Sequence, residues 1–549
     1  MKKKTNKMIV VFLMMGMVLS PGHVSIPANA ASGVSLASQS TSVKEGQSRK
    51  VKIKANGYII KKVIAKSKNK TIALASASKS SVEILGQEIG STKVIVTIKA
   101  SKNGKTRVFK KNISVSVKSG ASKGKVLNIY TWNEEFMERF REYYSGYDDD
   151  TYKIGDVAVR FIMNVNEGSN YQDRLDEALD RQNSASAFNK VDMFMAESDY
   201  VNKYISADED VAIPVSELGI TSDDMSQMFD YTKQAATDEN GVLRGLSWQA
   251  YPSGMIYRRS LAKKYFGTDD PDVIQDKVSN WDKFKEACET IKTESKGKDY
   301  MLATAFDLRK AFTSNDSTKI VNDGKLSLTT GLSRWADTMQ EYINAGYIMY
   351  PKKELWSEDW SLQMNKNKGR VFAYFGPSWF IDFTMSAASG ARWNGDGSYA
   401  HKDGKDSYGD WAVCKGPQSF DWGGTYLIAA KGTDNKELVG DIIREMTCDK
   451  EVLYRIATEK LDFVNNKTVC DWLSDEGRTC GLLSGQDMIS VLKDAGDSIS
   501  ITNGTPYDQY GYQKAEQCIA EFLWGKHTKE EAIAKWKKQM KKMFPNLDV

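Results

Sequence analysis

Between residues 32 and 118 apolar and polar positions alternate with the two-residue period of a half-buried strand. Val51-Lys52-Ile53-Lys54, Val94-Ile95-Val96-Thr97-Ile98 and Ile113-Ser114-Val115-Ser116-Val117 show the pattern, or a short apolar run of strand length. Gly, Ser, Asn and Lys turns separate them, and Lys102-Asn103-Gly104-Lys105 carries a hairpin-turn signal. Short strands at such spacing predict a small all-β sandwich over residues 31–118. Residues 119–124, Ser-Gly-Ala-Ser-Lys-Gly, then read as a flexible linker.

From Lys125 the pattern changes to strands alternating with amphipathic helices, which predicts an α/β domain over 125–549. Val126 to Tyr130 reads as a strand, and Asn133-Glu134-Glu135 opens a helix striped by Phe136, Phe140 and Tyr144. Asn133 suits its cap, and the glutamates suit the positive end of its dipole. Val157 to Met163 and Val191 to Met195 read as further strands, with Tyr171, Leu175 and Leu179 marking a helix between them. Later stripes are Trp281, Phe284, Cys288 and Ile291, then Leu332, Trp335, Met339 and Ile343, then Leu438, Ile442 and Met446. Thr528-Lys529-Glu530-Glu531 is a capping box before Ala532, Trp536 and Met540.

Charge separates the same two regions. The chain's net +5 hides 19 Lys and Arg against three Glu in residues 31–120, a net of +16. Residues 121–549 carry −15, so a basic module precedes an acidic one, with two jobs or two partners implied. Met1-Lys2-Lys3-Lys4, the apolar run Met8 to Leu19 and Ala28-Asn29-Ala30 form the three parts of a secretory signal, expected to be cleaved after Ala30. The run is too short for a membrane span, which needs about 20 residues. No cysteine stands near that site to take a lipid, so a soluble exported protein is expected.

The six cysteines lack paired zinc spacing and read mostly as small buried hydrophobes. Only Cys470 and Cys480, ten apart across a polar loop, suit a bridge in an oxidising compartment. Two histidines, His401 and His527, remain after the expected cleavage, which argues against histidine-based catalysis and metal sites. No G-x-S-x-G, P-loop or H-E-x-x-H occurs, and no cofactor or nucleic acid is implied. Asn394-Gly395-Asp396-Gly397-Ser398 lacks the later carboxylate of a calcium loop and reads as a solvated turn.

Five segments give the large domain a family likeness. They are VLNIYTWNEEFMERF, VDMFMAESDYVNKYI, GLSWQAYPSGMIYRRSLAKKYFG with the following SNWDKFKEACETI, GRVFAYFGPSWFIDF, and DWGGTYLIAAKGTDNKELVGDIIREMT. In this order they resemble the family 1 extracellular solute-binding proteins of ABC importers, over about 425 residues from Lys125. The small domain resembles bacterial immunoglobulin-like domains of the lysine-rich type. The resemblance implies a type II periplasmic-binding-protein fold, with two lobes closing on a ligand at a hinge. It places the first lobe at about 125–247 and 375–440, and the second at about 250–370 and 445–549. The implied partners are a carbohydrate ligand and the importer's permease subunits; anionic cell-wall polymer suits the basic domain.

A sugar offers apolar C–H faces and a rim of hydroxyls, so its site needs aromatic platforms with acidic and amide side chains. All 13 tryptophans lie at or after Trp132, several at strand ends beside polar residues. Candidates are therefore Trp132, Asn133 and Glu134 after the first strand, and Glu197, Asp199 and Tyr200 after the third. Trp248, Gln249 and Tyr251 sit at the first crossing, Trp422 precedes Gly423-Gly424, and Tyr510 and Tyr512 come late. Asp199 falls on the family's sugar-binding acid, Trp379 on its stacking tryptophan, and Tyr510 near its late aromatic contact. Packing, capping or solvation would explain each of these residues without a ligand. Trp281, Trp335 and Trp536, on helix stripes, read as core. Two other functions compete: a secreted, wall-bound glycan receptor without a transporter, and a glycosidase using Glu134 with Asp199.

Overall fold

Two compact units, divided after Gly120, make up the computed structural model, which describes residues 33–166, 168–365, 369–393, 399–402 and 405–549. The expected secretory signal and the Asn394–Ser398 turn lie outside the described residues.

The alternating segment of the first unit forms two four-stranded sheets. One runs in the order Ser35–Leu36, Ser48–Lys54, Ser81–Gly86, Ala73–Ala77; the other runs Ser40–Lys44, Lys105–Lys118, Gly90–Lys102, Ile59–Ser67. Val82 and Ile84 from one sheet meet Val94, Val96, Ile98, Ile113 and Val115 from the other in a single core. Lys50, Lys52 and Lys54 stay exposed on the alternate positions. The Lys102–Lys105 hairpin turns through Asn103 at φ 50° and Gly104 at φ 76°. Two positive φ values in a two-residue loop match the twist of the flanking strands.

In the second unit, the first lobe is built on a six-stranded sheet. Its order is Tyr147–Asp148, Lys153–Ile154, Val157–Met163, Val126–Thr131, Met193–Glu197, Thr425–Ala429. Val126–Thr131 pairs in parallel with both neighbours, and its apolar run reflects burial on both faces. Asn133 accepts the backbone N–H of Glu135 at 3.1 Å, and the helix Glu135–Tyr143 buries Phe136 and Phe140.

The second lobe centres on Pro252–Arg258, which pairs antiparallel with Ala373–Pro377 on one side and with Trp411–Cys414 and Phe420–Asp421 on the other. Helices Trp281–Glu294, Thr330–Ala345, Asp508–Leu523 and Lys529–Met543 cover it and share its core. Asn280 caps the first of these at Lys283, and Thr528 with Glu531 forms the expected capping box on the last. Trp335 and Trp536 are fully buried and donate to the carbonyls of Ala305 and Gly511, at 2.9 and 3.0 Å. Trp281 stacks on Phe312 with ring centroids 4.1 Å apart.

The lobe segments differ from the sequence expectation in two places. Strands Ala373–Pro377, Trp411–Cys414 and Phe420–Asp421 do not join the first lobe, because all three pair with Pro252–Arg258. The chain regains the first sheet only at Thr425–Ala429. Gly376-Pro377 looks like a crossing but sits inside the second sheet, with Gly376 opposite Gly254. Conversely, helices Lys436–Cys448, Lys450–Lys460 and Lys467–Asp475 bury Val439, Leu453 and Val469 in the core of the first lobe. An amphipathic stripe records that a helix is covered, and is silent on which sheet covers it.

All six cysteines are free thiols, so the Cys470–Cys480 bridge is not formed. Cys470 lies on the buried face of helix Lys467–Asp475, where its thiol approaches the carbonyl of Val464 at 3.7 Å. Among the described residues, no helix is long and apolar enough to cross a membrane.

Candidate functional site

A polar crevice of about 560 Å³ opens between the lobes. On the first lobe, strand Met193–Glu197 ends with Glu197 at the rim, and the backbone N–H of Asp199 donates to the Glu197 carboxylate at 3.0 Å. Facing it, the short helix Arg309–Thr313 of the second lobe presents Arg309 and Lys310. Lys310 forms an ion pair with Asp199 across the crevice. Asp421, Asp508 and Glu516 complete the acidic wall. Asp421 is held by Ser314, whose hydroxyl accepts the Asp421 N–H at 3.0 Å. The carboxylate of Asp508 accepts the N–H of Thr505 at 2.9 Å.

Electrostatics split these carboxylates into two kinds. Burial raises the pKa of Asp199, but Lys310 and Arg309 outweigh burial and hold it below the usual carboxylate range. Burial, with the Asp199 charge beside it, pushes Glu197 up to about 8. Burial pushes Asp508 up to about 7 against the hydrogen bonds from Thr505. At neutral pH the crevice therefore offers an ionised acceptor at Asp199, a mostly protonated acid able to donate as well as accept at Glu197, and a carboxyl divided between the two forms at Asp508. Tyr200 adds a buried hydroxyl with no hydrogen-bond partner among the described residues. An unmet buried phenol on a crevice wall is a donor awaiting an acceptor.

Of the sequence candidates, Glu197, Asp199, Tyr200 and Tyr512 meet in this crevice. Trp132 is half-buried behind it, edge-on to Tyr171 and Tyr200 at 5.4 and 6.2 Å. Asn133 and Glu134 are exposed outside the lining, and Asn133 is spent on the helix start. Trp379 and Trp422 are half-buried outside the lining; Trp422 follows the lining residue Asp421 in the chain, and Trp379 packs edge-on against Trp422 at 5.4 Å. Trp379 donates to the carbonyl of Trp422 at 3.2 Å and lies nearly parallel to Trp356, at 18° and 6.5 Å. Trp356, 54% exposed at a positive φ of 66°, is the open face of this three-tryptophan group.

Four further candidates stand away from the crevice, among them Gln249, which donates to Glu135 at 2.7 Å. Trp248 is fully buried against Phe136 and donates to Asp462 at 3.0 Å, so it is core of the first lobe. Tyr251 is likewise buried, its hydroxyl bonded to that of Tyr426. Tyr510 packs edge-on against Phe544 at 5.7 Å. Two residues along a helix turn about 200°, so Tyr510 and Tyr512 of Asp508–Leu523 face opposite ways. Gly424, at φ 102°, leaves room for the ring of Tyr251 and not for a ligand.

Sequence reading missed Arg309, Lys310, Asp421, Asp508 and Glu516. Lys310 and Glu516 look like the solvated face of ordinary helices, and only the packing of two distant segments brings them to Asp199. The one available signal was Asp421, adjacent to the candidate Trp422.

No protein-family model matches the sequence, and no curated protein does. Solved structures match with 9–17% identity. A family 1 extracellular solute-binding protein aligns at 15% identity over 76% of this chain and 99% of its own, with a TM-score of 0.61. The sugar-binding protein MalE of Xanthomonas citri aligns at 12% identity over 76% and 97%, with a TM-score of 0.57. The galacto-N-biose/lacto-N-biose I-binding protein of Bifidobacterium longum aligns at 12% over 79% and 100%, with a TM-score of 0.54. With its paired α/β lobes and the crevice between them, the large unit has the fold of the family 1 extracellular solute-binding proteins.

Proposed function

We propose that the protein is an exported binding protein that captures a neutral carbohydrate between its lobes and passes it, unaltered, to an ABC importer. The observation that carries this reading is the crevice itself. Ionised and neutral carboxyl groups, amides and an unmet phenol face one another across it, with tryptophans just outside its lining. Such a set matches a ligand that is a hydroxyl rim around an apolar face. Among the proteins of similar fold, three are bound to tagatose, maltotetraose and lacto-N-biose. Trp379 with Trp356 and Trp422 is the stacking platform in this reading, and Asp199 the principal acceptor.

The Asp199–Lys310 pair joins the lobes across the crevice, so a ligand that engages both residues favours the closed arrangement. The small sandwich is an immunoglobulin-like spacer whose +16 charge holds the protein near anionic wall polymer. Hydrolysis by Glu134 with Asp199 is not favoured, since Glu134 stands outside the crevice.

A thermal-shift panel of mono- to oligosaccharides tests the proposal. A ligand at 100 times its Kd adds about 2.7 kcal/mol of stability. Stabilisation by at least one sugar, recovered intact afterwards, is expected. A panel in which no sugar shifts the transition, or in which the sugar is cleaved, would overturn it.

A further inference from the structure

A second, separate cavity of about 170 Å³ lies away from the crevice. Its walls come from both lobes. Leu461 to Val464, Cys470 and Leu473 belong to the helical layer of the first lobe, while Asp382, Ser386, Tyr399 and Tyr408 follow the strand Ala373–Pro377 of the second. It backs directly onto a crossing segment, because the Ala250 N–H donates to the carbonyl of Phe463 at 2.9 Å and Gln249 bridges to Val464. None of its lining residues lines the crevice.

The wall mixes apolar side chains with Ser386, Tyr399, Tyr408, Arg478, Thr479 and two carboxylates, Asp382 and Asp462. Asp382 is 7% exposed, lines the cavity, and its Oδ2 has no hydrogen-bond partner among the described residues. A buried, unpaired carboxyl is costly unless something compensates it. Asp462, the other carboxylate in the wall, is already satisfied by Arg139 at 2.8 Å and Trp248 at 3.0 Å. Arg478 borders the cavity but turns its guanidinium to the carbonyl of Thr458, at 3.5 Å. Burial and the nearby charge of Asp462 push Asp382 up to about 8, the behaviour of an acid without a counter-charge. The volume is comparable to the roughly 150 Å³ of an engineered apolar cavity that admits benzene.

We propose that this cavity is a second binding site, independent of the crevice, for a small organic cation: a primary ammonium on a short apolar body. The ammonium donates to Asp382 Oδ2, and the body fills the space lined by Leu461, Phe463, Leu473 and Leu482. A ligand held there touches both lobes behind the crossing segment, so its occupancy bears on their relative movement.

The test is calorimetric titration of the full chain at pH 8.5 with n-butylammonium, n-butanol and butyrate, where Asp382 is ionised and the amine keeps its proton. Saturable one-site binding of n-butylammonium is expected, at least tenfold tighter than n-butanol, with no binding of butyrate. Asp382→Asn should weaken the amine tenfold or more, and Ala457→Leu, which fills the cavity from another wall, should weaken it as well. Thermal unfolding of both variants checks that the fold persists. Asp199→Asn separates this site from the acidic crevice and should leave amine binding within twofold. Absence of amine binding, equal binding by Asp382→Asn, n-butanol binding as tightly as the amine, or a loss on Asp199→Asn matching that on Asp382→Asn would each overturn the proposal.

Discussion

The sandwich and the two-lobed unit bury apolar side chains by the same physics but reach opposite ends. The sandwich closes two sheets over one core whose residues, Val34 to Val117, come from a single stretch of sequence. The large unit interleaves its lobes, so that its first sheet takes strands from 126–197 and again from 425–429. A contiguous sandwich leaves its lysines outward, a diffuse charge on a smooth body. An interleaved pair of lobes leaves a crevice where side chains a hundred or more residues apart, such as Asp199 and Lys310, face each other. Function of the binding kind therefore sits where chain continuity is broken.

The largest expected effect separates core from crevice within the large unit. Trp248→Ala should cost about 3–5 kcal/mol of stability, the usual loss for truncating a buried tryptophan, read by urea denaturation. A loss below about 1 kcal/mol would place the ring at the surface. Asp199→Ala should leave stability close to wild type but cost about 1.5–3 kcal/mol of sugar affinity, the range for a hydrogen bond to a charged group. Calorimetry showing unchanged affinity would remove Asp199 from the site. Trp379→Ala should cost about 1–3 kcal/mol of affinity, as burial of a large side chain contributes; normal binding would reduce the tryptophan group to packing.

Acidity distinguishes the regions more gently. Glu197 and Asp508 have folded-state pKa values pushed up to about 8 and about 7 by burial. The folded state then holds protons that the unfolded chain has released, so their contribution is fully present below the ordinary carboxylate range. It is lost as pH rises toward 8. The midpoint of the large unit's unfolding should fall between pH 5 and pH 9, and Glu197→Gln should flatten that fall. A midpoint that rises over the same window would contradict the burial of these acids. The smallest effect concerns the sandwich: attachment of the full chain to purified cell wall should weaken as salt rises from 0.1 to 1 M and the Debye length falls from about 10 to 3 Å. Attachment indifferent to salt would leave the lysines a solubilising role alone.

How much was legible follows the same division. The sandwich strands, the hairpin at Asn103-Gly104 and the helix stripes of Phe136, Trp335 and Trp536 are local signals, and local signals survive reading one residue at a time. Asp199 and Glu197 were visible because a strand end delivers them to a rim. Lys310, Asp508 and Glu516 were not, because a polar helix face looks the same toward solvent and toward a ligand. Trp248 and Tyr251 misled for a related reason: an aromatic beside a crossing fits a hinge core as well as a binding wall, and only burial decides between them.

The central claim is that the ligand sits between the lobes, and hydrogen exchange with and without a saturating sugar tests it most directly. Expected is slower exchange in residues 197–202 of the first lobe and in 309–314 and 503–516 of the second, with residues 35–118 unchanged. Protection confined to one lobe, or appearing in the sandwich while the crevice segments exchange as before, would contradict it.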